Sequence, residues 1–240
     1  MRNAAAVFGA SLLLAVLITA TIAIADFYHP PIPPAPVSST STITALTSHA
    51  SSSPNRTDLF VRLAFANGTL LRGALLSAGP YLANSSTGTY EFPKIQPGNL
   101  SLLLSARVPA YLPPAEIDVL TGTNYANVTV YPLSIFTLIL NNGLDINGSQ
   151  PGPPIQAKNS TAVRLVIRNN TTLIHNIAVS NTLDNISSSN ILFSSLSITL
   201  NAGGSTNDTF IVTNPGEYYY VDLIGNHAKD GEYGAFLVLP

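Results

Sequence analysis

The sequence predicts an all-β protein: two β-sandwiches carried behind one N-terminal transmembrane helix. Three observations lead there. Over residues 57–133 no stretch shows the 3.6-residue apolar period that an amphipathic helix needs. Short segments of alternating apolar and polar residues recur instead, such as LFVRLAF at 59–65, with Asn-Gly, Pro-Gly and Gly-Gly turn signals between them. An uncharged, mostly apolar run over residues 4–25 precedes all of this.

That run sets the expected location. A helix of this length spans a hydrocarbon core of about 30 Å. Arg2 on the short flank keeps residues 1–3 on the cytoplasmic side and exports the rest, giving a single-pass protein with its C-terminal part extracellular. Ala23-Ile24-Ala25 also fits a small-residue cleavage site, so a signal peptide stays open beside the anchor. A pilin-like assembly helix is a third reading, without a clear prepilin motif to support it.

Composition narrows the function classes. The 240 residues carry 10 Lys+Arg against 12 Asp+Glu, a net charge of −2. Neither the net charge nor any basic cluster attracts nucleic acid. Cysteine is absent, which excludes disulfides, iron–sulfur clusters, thiolate metal sites and cysteine nucleophiles. Met1 is the one methionine, so no thioether is on offer in the folded part. N-x-S/T sequons begin at Asn55, Asn67, Asn84, Asn99, Asn127, Asn147, Asn159, Asn169, Asn170, Asn185 and Asn207 and suit a glycan-coated surface protein. A chain this rich in Asn, Ser and Thr also produces several by chance. A sparsely charged, hydroxyl-rich surface resembles exported archaeal proteins more than bacterial ones.

Residues 26–56 read as a stalk. Pro30, Pro31, Pro33, Pro34 and Pro36 favour extended polyproline structure, and the Ser/Thr tract after them has too little apolar content for a core. His29 and His49 fall here and read as exposed linker histidines. Residues 57–133 form the first expected sandwich. Asn67, Gly68, Gly73 and Ala74, then Thr87, Gly88, Thr89, Tyr90, Glu91 and Phe92, then Pro97, Gly98 and the PAYLPP segment follow an order that resembles the carboxypeptidase regulatory-like, transthyretin-like β-sandwich. The resemblance implies a spacer or adhesive module without catalysis.

Residues 134–240 form the second. IFTLILNNG reads as a strand closed by Asn142-Gly143, and residues 162–167 put Val163, Leu165 and Ile167 on one face and Arg164, Val166 and Arg168 on the other. TLIHNIAVSN and the closing GEYYYVDLIGNHAKDGEYGAFLVLP complete three separated motifs that resemble, in order, the cupredoxin-like Greek-key fold of blue copper proteins and multicopper oxidases. Asp222 stands where that family has its cysteine, Glu232 where it has its methionine, and Gly225-Asn226 where Pro-Gly precedes the histidine. His227 lies five positions after Asp222, and Glu232 five positions after His227, as in the family loop. The resemblance implies that His175, Asp222, His227 and Glu232 meet at one end of the sandwich, with Asn176 bracing the loop. Glu232 also resembles the glutamate ligand of red-copper cupredoxins, which keep their cysteine.

Two imidazoles and two carboxylates form a harder donor set than a thiolate site, suited to non-blue Cu(II) or to Zn(II), Mn(II) or Fe(II). The expected function is a membrane-anchored extracellular protein that binds copper or another divalent metal there, in metal handling or beside a respiratory complex. The alternative is a metal-free structural or adhesive surface or filament protein with no cofactor, its partners other envelope proteins and its two sandwiches serving as bricks. No G-x-S-x-G elbow, P-loop, H-E-x-x-H or G-x-G-x-x-G is present, no catalytic residue is assigned, and the chain is not read as an enzyme. Ala202-Gly203-Gly204-Ser205 reads as a hairpin turn. Tyr218, Tyr219 and Tyr220 read as one strand of alternating burial rather than as a surface patch for carbohydrate or electron transfer.

Overall fold

Alternating segments satisfy their backbone groups across the chain rather than along it, so sheets form wherever two apolar faces can be pressed together. The computed structural model describes the backbone of residues 43–49 and, in full, residues 57–105, 109–184, 186 and 198–240. All of these fall in one unit, Pro36–Pro240. Every regular element among the described residues is a strand. Among them no helix is long and apolar enough to cross a membrane; the expected anchor at 4–25 lies outside the described residues.

The first strand, β1 (Ile43–His49), lies inside the stretch expected to be stalk. Its β-branched and apolar residues find an antiparallel partner in the start of β9, as described below. Next come β2 (Asp58–Phe65), β3 (Leu75–Ala78), β4 (Tyr81–Asn84), β5 (Thr89–Phe92), β6 (Gly98–Ser105), β7 (Ala110–Tyr111) and β8 (Ala115–Val119). β4, β3, β6 and β8 make a four-stranded sheet in that order. Its inner face, with Leu76, Leu102 and Ile117, packs against Leu59, Val61 and Leu63 of β2 and Tyr90 and Phe92 of β5. Gly88 shows why the Thr-Gly-Thr start of β5 is built as it is. Its φ is +92°, and a Cβ there would lie 2.6 Å from the Leu70 Cβ.

β9 (Thr123–Asn141) is 19 residues long. At about 3.3 Å per residue it extends about 60 Å, far more than one sandwich needs. Its first half runs parallel to β2 and gives Ala126, Val128 and Val130 to the core just described. Its second half runs parallel to β12 (Thr161–Asn169) and gives Leu138 and Leu140 to a second core. The expected boundary at 133/134 thus falls inside one continuous strand.

The second core lies between two sheets. On one side, β12 stands between β9 and β15 (Ser205–Val212), with the short β10 (Asp145–Ile146) on β9. On the other, a five-stranded sheet runs β11 (Gly152–Lys158), β17 (Tyr233–Leu239), β16 (Gly216–Asp222), β13 (His175–Ser180), β14 (Ile198–Leu200). Val163, Leu165 and Ile167 face Ile177, Val179 and Phe236, as the alternation of β12 requires, while Arg164 and Val166 are half-buried and Arg168 is exposed. The Ala202-Gly203-Gly204-Ser205 turn is not a hairpin. β14 pairs with β13 and β15 with β12, so the chain changes sheets here. The physical reason is that Leu200 and Phe210 enter the same core from opposite sides, which a hairpin cannot arrange.

Phe236 on β17 is fully buried, its ring 6.0 Å from that of Phe210 across the core. Phe236→Ala is expected to cost about 3–5 kcal/mol of stability. Urea unfolding of the full chain in detergent measures it, and a loss below ~1 kcal/mol would show that the two sheets do not depend on this contact.

Candidate metal centre

Local sequence places three of the four expected residues. Asp222 is the last residue of β16, Glu232 immediately precedes β17, and His227 sits in the turn between them. That turn is closed by its own backbone. Asp222 N–H donates to Glu232 C=O at 3.1 Å, Glu232 N–H to His227 C=O at 2.9 Å, and His227 N–H to Ile224 C=O at 3.1 Å. Gly225 and Gly231 take φ values of +53° and +103°, which lets so short a segment turn twice. Behind it, Tyr220 donates its hydroxyl to Pro153 C=O at 2.7 Å and lays its ring over Gly234, where any side chain would collide with it. β16, β17 and β11 are thereby fixed as a rigid base for the loop.

The fourth residue arrives from far away in sequence. His175 opens β13, whose six residues are all buried between β14 and β16. Leu223 N–H donates to Asn176 C=O at 2.7 Å, so the loop is held to β13 by the residue expected to brace it. The four side chains converge: one ligand atom from each of His175, Asp222, His227 and Glu232 lies within 4.8 Å of all the others. His175, Asp222 and Glu232 are buried, and the His227 side chain is 18% exposed.

Both imidazoles present Nδ1 to the centre. Asp222 Oδ2 lies 2.8 Å from His175 Nδ1 and 2.7 Å from His227 Nδ1. Asp222 Oδ1 is occupied elsewhere, accepting from the backbone N–H of Asn176 at 2.8 Å and of Ile224 at 3.0 Å. Glu232 lies farther from the rings, Oε1 3.2 Å from His175 Nδ1 and Oε2 3.2 Å from His227 Nδ1. Each Nδ1 carries at most one proton, and the shorter approach is to Asp222. Neither Glu232 oxygen therefore has a hydrogen-bond partner, although both are buried.

A buried carboxylate with no donor is costly unless a proton or a cation joins it. Burial, then the Asp222 carboxylate beside it, then Asp145, push Glu232 from an ordinary 4.5 up to about 8. A divalent ion supplies what the group lacks. Two neutral imidazole nitrogens and two carboxylate oxygens are ordinary ligands for Zn(II) or Cu(II), and a tetrahedral site with bonds of ~2.1 Å has ligand–ligand edges of about 3.4 Å. The 3.2 Å approaches of Glu232 match such edges, and the 2.7–2.8 Å approaches of Asp222 open to them by a small shift. The donor set fits the ion.

Sequence reasoning missed two residues of this site. Thr171 Oγ1 lies 2.8 Å from His175 Nε2, and Asn169 Oδ1 lies 2.8 Å from that hydroxyl. The pair spells a sequon, Asn169-Asn170-Thr171, which disguised it. Asn169 is 1% exposed, and its amide nitrogen donates to backbone carbonyls, so it is not open to a glycan in the folded chain.

No protein-family model matches the chain, and no curated protein does. Among solved structures, reduced auracyanin from the photosynthetic bacterium Roseiflexus castenholzii matches at 17% identity over 44% of this chain and 97% of that one, with a TM-score of 0.38. Auracyanin A, a "blue" copper protein from Chloroflexus aurantiacus, matches at 14% identity over 44% and 98%, with a TM-score of 0.36. A copper nitrite reductase from Nitrosomonas europaea matches at 18% identity over 45% and 42%, with a TM-score of 0.37. Scores of this size leave the fold and the chemistry of this chain to be argued from its own strands and side chains.

The proton on Glu232 has a measurable consequence. Its folded value of about 8 exceeds the ordinary 4.5, so the folded chain holds this proton more tightly than the unfolded chain does. The stabilisation is complete below pH 4.5 and is lost as pH rises through about 8. In chelator-treated protein the urea midpoint is expected to fall across that window, and Glu232→Gln to remove the fall. An identical slope in both proteins would place the titration elsewhere.

Proposed function

We propose that the chain is a membrane-anchored extracellular protein whose C-terminal, cupredoxin-like part binds a divalent metal at His175, Asp222, His227 and Glu232, with Cu(II) as the first candidate and Zn(II) the nearest alternative. One observation carries the reading: four potential ligand atoms lie within 4.8 Å of each other, and two buried Glu232 oxygens among them have no donor. When bound, the ion supplies the positive charge that two buried carboxylates need.

The residues divide the work. Asp222 spans the site, its Oδ1 tied to two backbone amides and its Oδ2 turned toward both imidazoles, where the ion would sit. His175 brings a nitrogen from the buried side, and His227 brings one from the partly exposed side. Glu232 completes the charge. No sulfur belongs to the set, so the strong Cu–thiolate bond that tunes blue sites for electron transfer has no counterpart. Metal capture, storage or delivery suits such a site better than a redox shuttle. Membrane attachment rests on the apolar run at 4–25, association with respiratory or envelope proteins on that location, and glycosylation on exposed sequons such as Asn67, Asn127 and Asn207.

One observation favours a second reading, a metal-free structural or adhesive protein. The His227–Asp222 contact at 2.7 Å is already a good hydrogen bond, and Asp222 Oδ1 accepts from Asn176 N–H at 2.8 Å, which holds the loop to β13 without an ion. Metal titration separates the readings. The full chain in detergent is expected to take up one equivalent of Cu(II), with a type-2 electron paramagnetic resonance signal, and the His175→Ala/His227→Ala variant to bind more than about 100-fold more weakly. Equal, weak uptake by both would reject the metal centre. For location, the chain is expected to stay in the membrane pellet after alkaline carbonate extraction; its release would remove the anchor from the proposal.

A further inference from the structure

We propose that Asn169 and Thr171 are positioning residues that lock the tautomer of His175, holding its proton on Nε2 so that the Nδ1 lone pair is presented to the metal. The inference rests on the metal-centre reading for its purpose, but its structural content stands without an ion.

Several groups around His175 have a fixed hydrogen-bonding character. Backbone carbonyls only accept, and backbone N–H groups only donate. One terminal atom of the Asn169 amide lies 2.8 Å from Leu173 C=O and 3.0 Å from Asn201 C=O, so it must be the nitrogen. The other lies 2.9 Å from Thr171 N–H, so it must be the oxygen. The orientation of the amide is thus set by the main chain.

Asn169 Oδ1 also lies 2.8 Å from Thr171 Oγ1. An amide oxygen has no proton, so the hydroxyl must donate its own. Thr171 Oγ1 then has only lone pairs left. Leu173 N–H donates to one of them at 3.0 Å. His175 Nε2 lies 2.8 Å away, buried, and must donate to the other. A neutral His175 therefore carries its proton on Nε2, and its Nδ1 faces Asp222 Oδ2 and Glu232 Oε1 with a lone pair. Lone pairs opposed at 2.8 Å repel one another, and an ion between them removes the conflict. The same relay fixes the ring plane, because Thr171 and the ion site grip its two nitrogens from opposite sides.

Selective labelling reads this directly. The chain has four histidines, so 15N-histidine labelling of the full chain in detergent gives four ring systems, assigned by His→Gln variants. In chelator-treated wild type, the neutral form of His175 is expected to carry its proton on Nε2. Thr171→Val is expected to shift it toward Nδ1–H and to weaken Cu(II) binding about 10–100-fold, with Thr171→Ser restoring both. A wild-type His175 protonated on Nδ1 overturns the proposal and needs no folded variant to do so; an unchanged tautomer in folded Thr171→Val does the same. If the tautomer moves as expected while wild type and variants alike bind no metal, the relay stands and the metal centre falls.

Discussion

The Asp222 carboxylate joins everything that matters at the C-terminal pole. It caps the end of β16, and its Oδ1 gathers the amides of Asn176 on β13 and Ile224 in the loop. Its Oδ2 lies 2.8 and 2.7 Å from the Nδ1 atoms of two imidazoles separated by 52 positions of sequence. A buried carboxylate survives in a protein interior only when donors surround it. That requirement obliges the loop to fold onto β13, so the same group organises the backbone and assembles the cluster.

The scaffold behind Asp222 explains how such a cluster can be held. Three of the four side chains sit on or beside paired strands, where backbone hydrogen bonds leave little freedom. The Tyr220 hydroxyl reaches across Gly234 to Pro153, so β16 and β17 cannot slide against β11 without losing a partly buried hydrogen bond. On the opposite side of the core, β12 carries Val163, Leu165 and Ile167 inward and ends at Asn169, whose amide secures the turn that delivers Thr171 to His175. Core packing and the hydrogen bonds that reach His175 come from alternate residues of one strand and its exit.

The chemistry follows from charge and softness. Two carboxylates a few ångströms apart in a dry site repel each other, and Glu232, without a donor, is the one that keeps a proton. A divalent ion or that proton can occupy the vacancy in the charge balance, so metal and proton compete for one position. Nitrogen and oxygen donors without sulfur suit Cu(II) and Zn(II) and give Cu(I) no special stability.

Much of this was legible in the chain. Alternation in β2 and β12 reports burial on one face, and a strand has no other way to place Val163, Leu165 and Ile167 together. The spacing of Asp222, His227 and Glu232 is local, so a single tight turn keeps them close whatever surrounds it. Only the tertiary structure decided the rest. β9 runs unbroken through both cores because partners on each side extend it, and β1 forms because β9 offers an edge to pair with. The change of sheet after β14 and the relay from Asn169 through Thr171 to His175 depend on which strands lie opposite one another. Sequence determines the period of burial and the geometry of short turns because these are set within a few residues. Pairing across dozens of residues is chosen by the whole core at once, and so are the orphaned oxygens of Glu232 and the proton on His175.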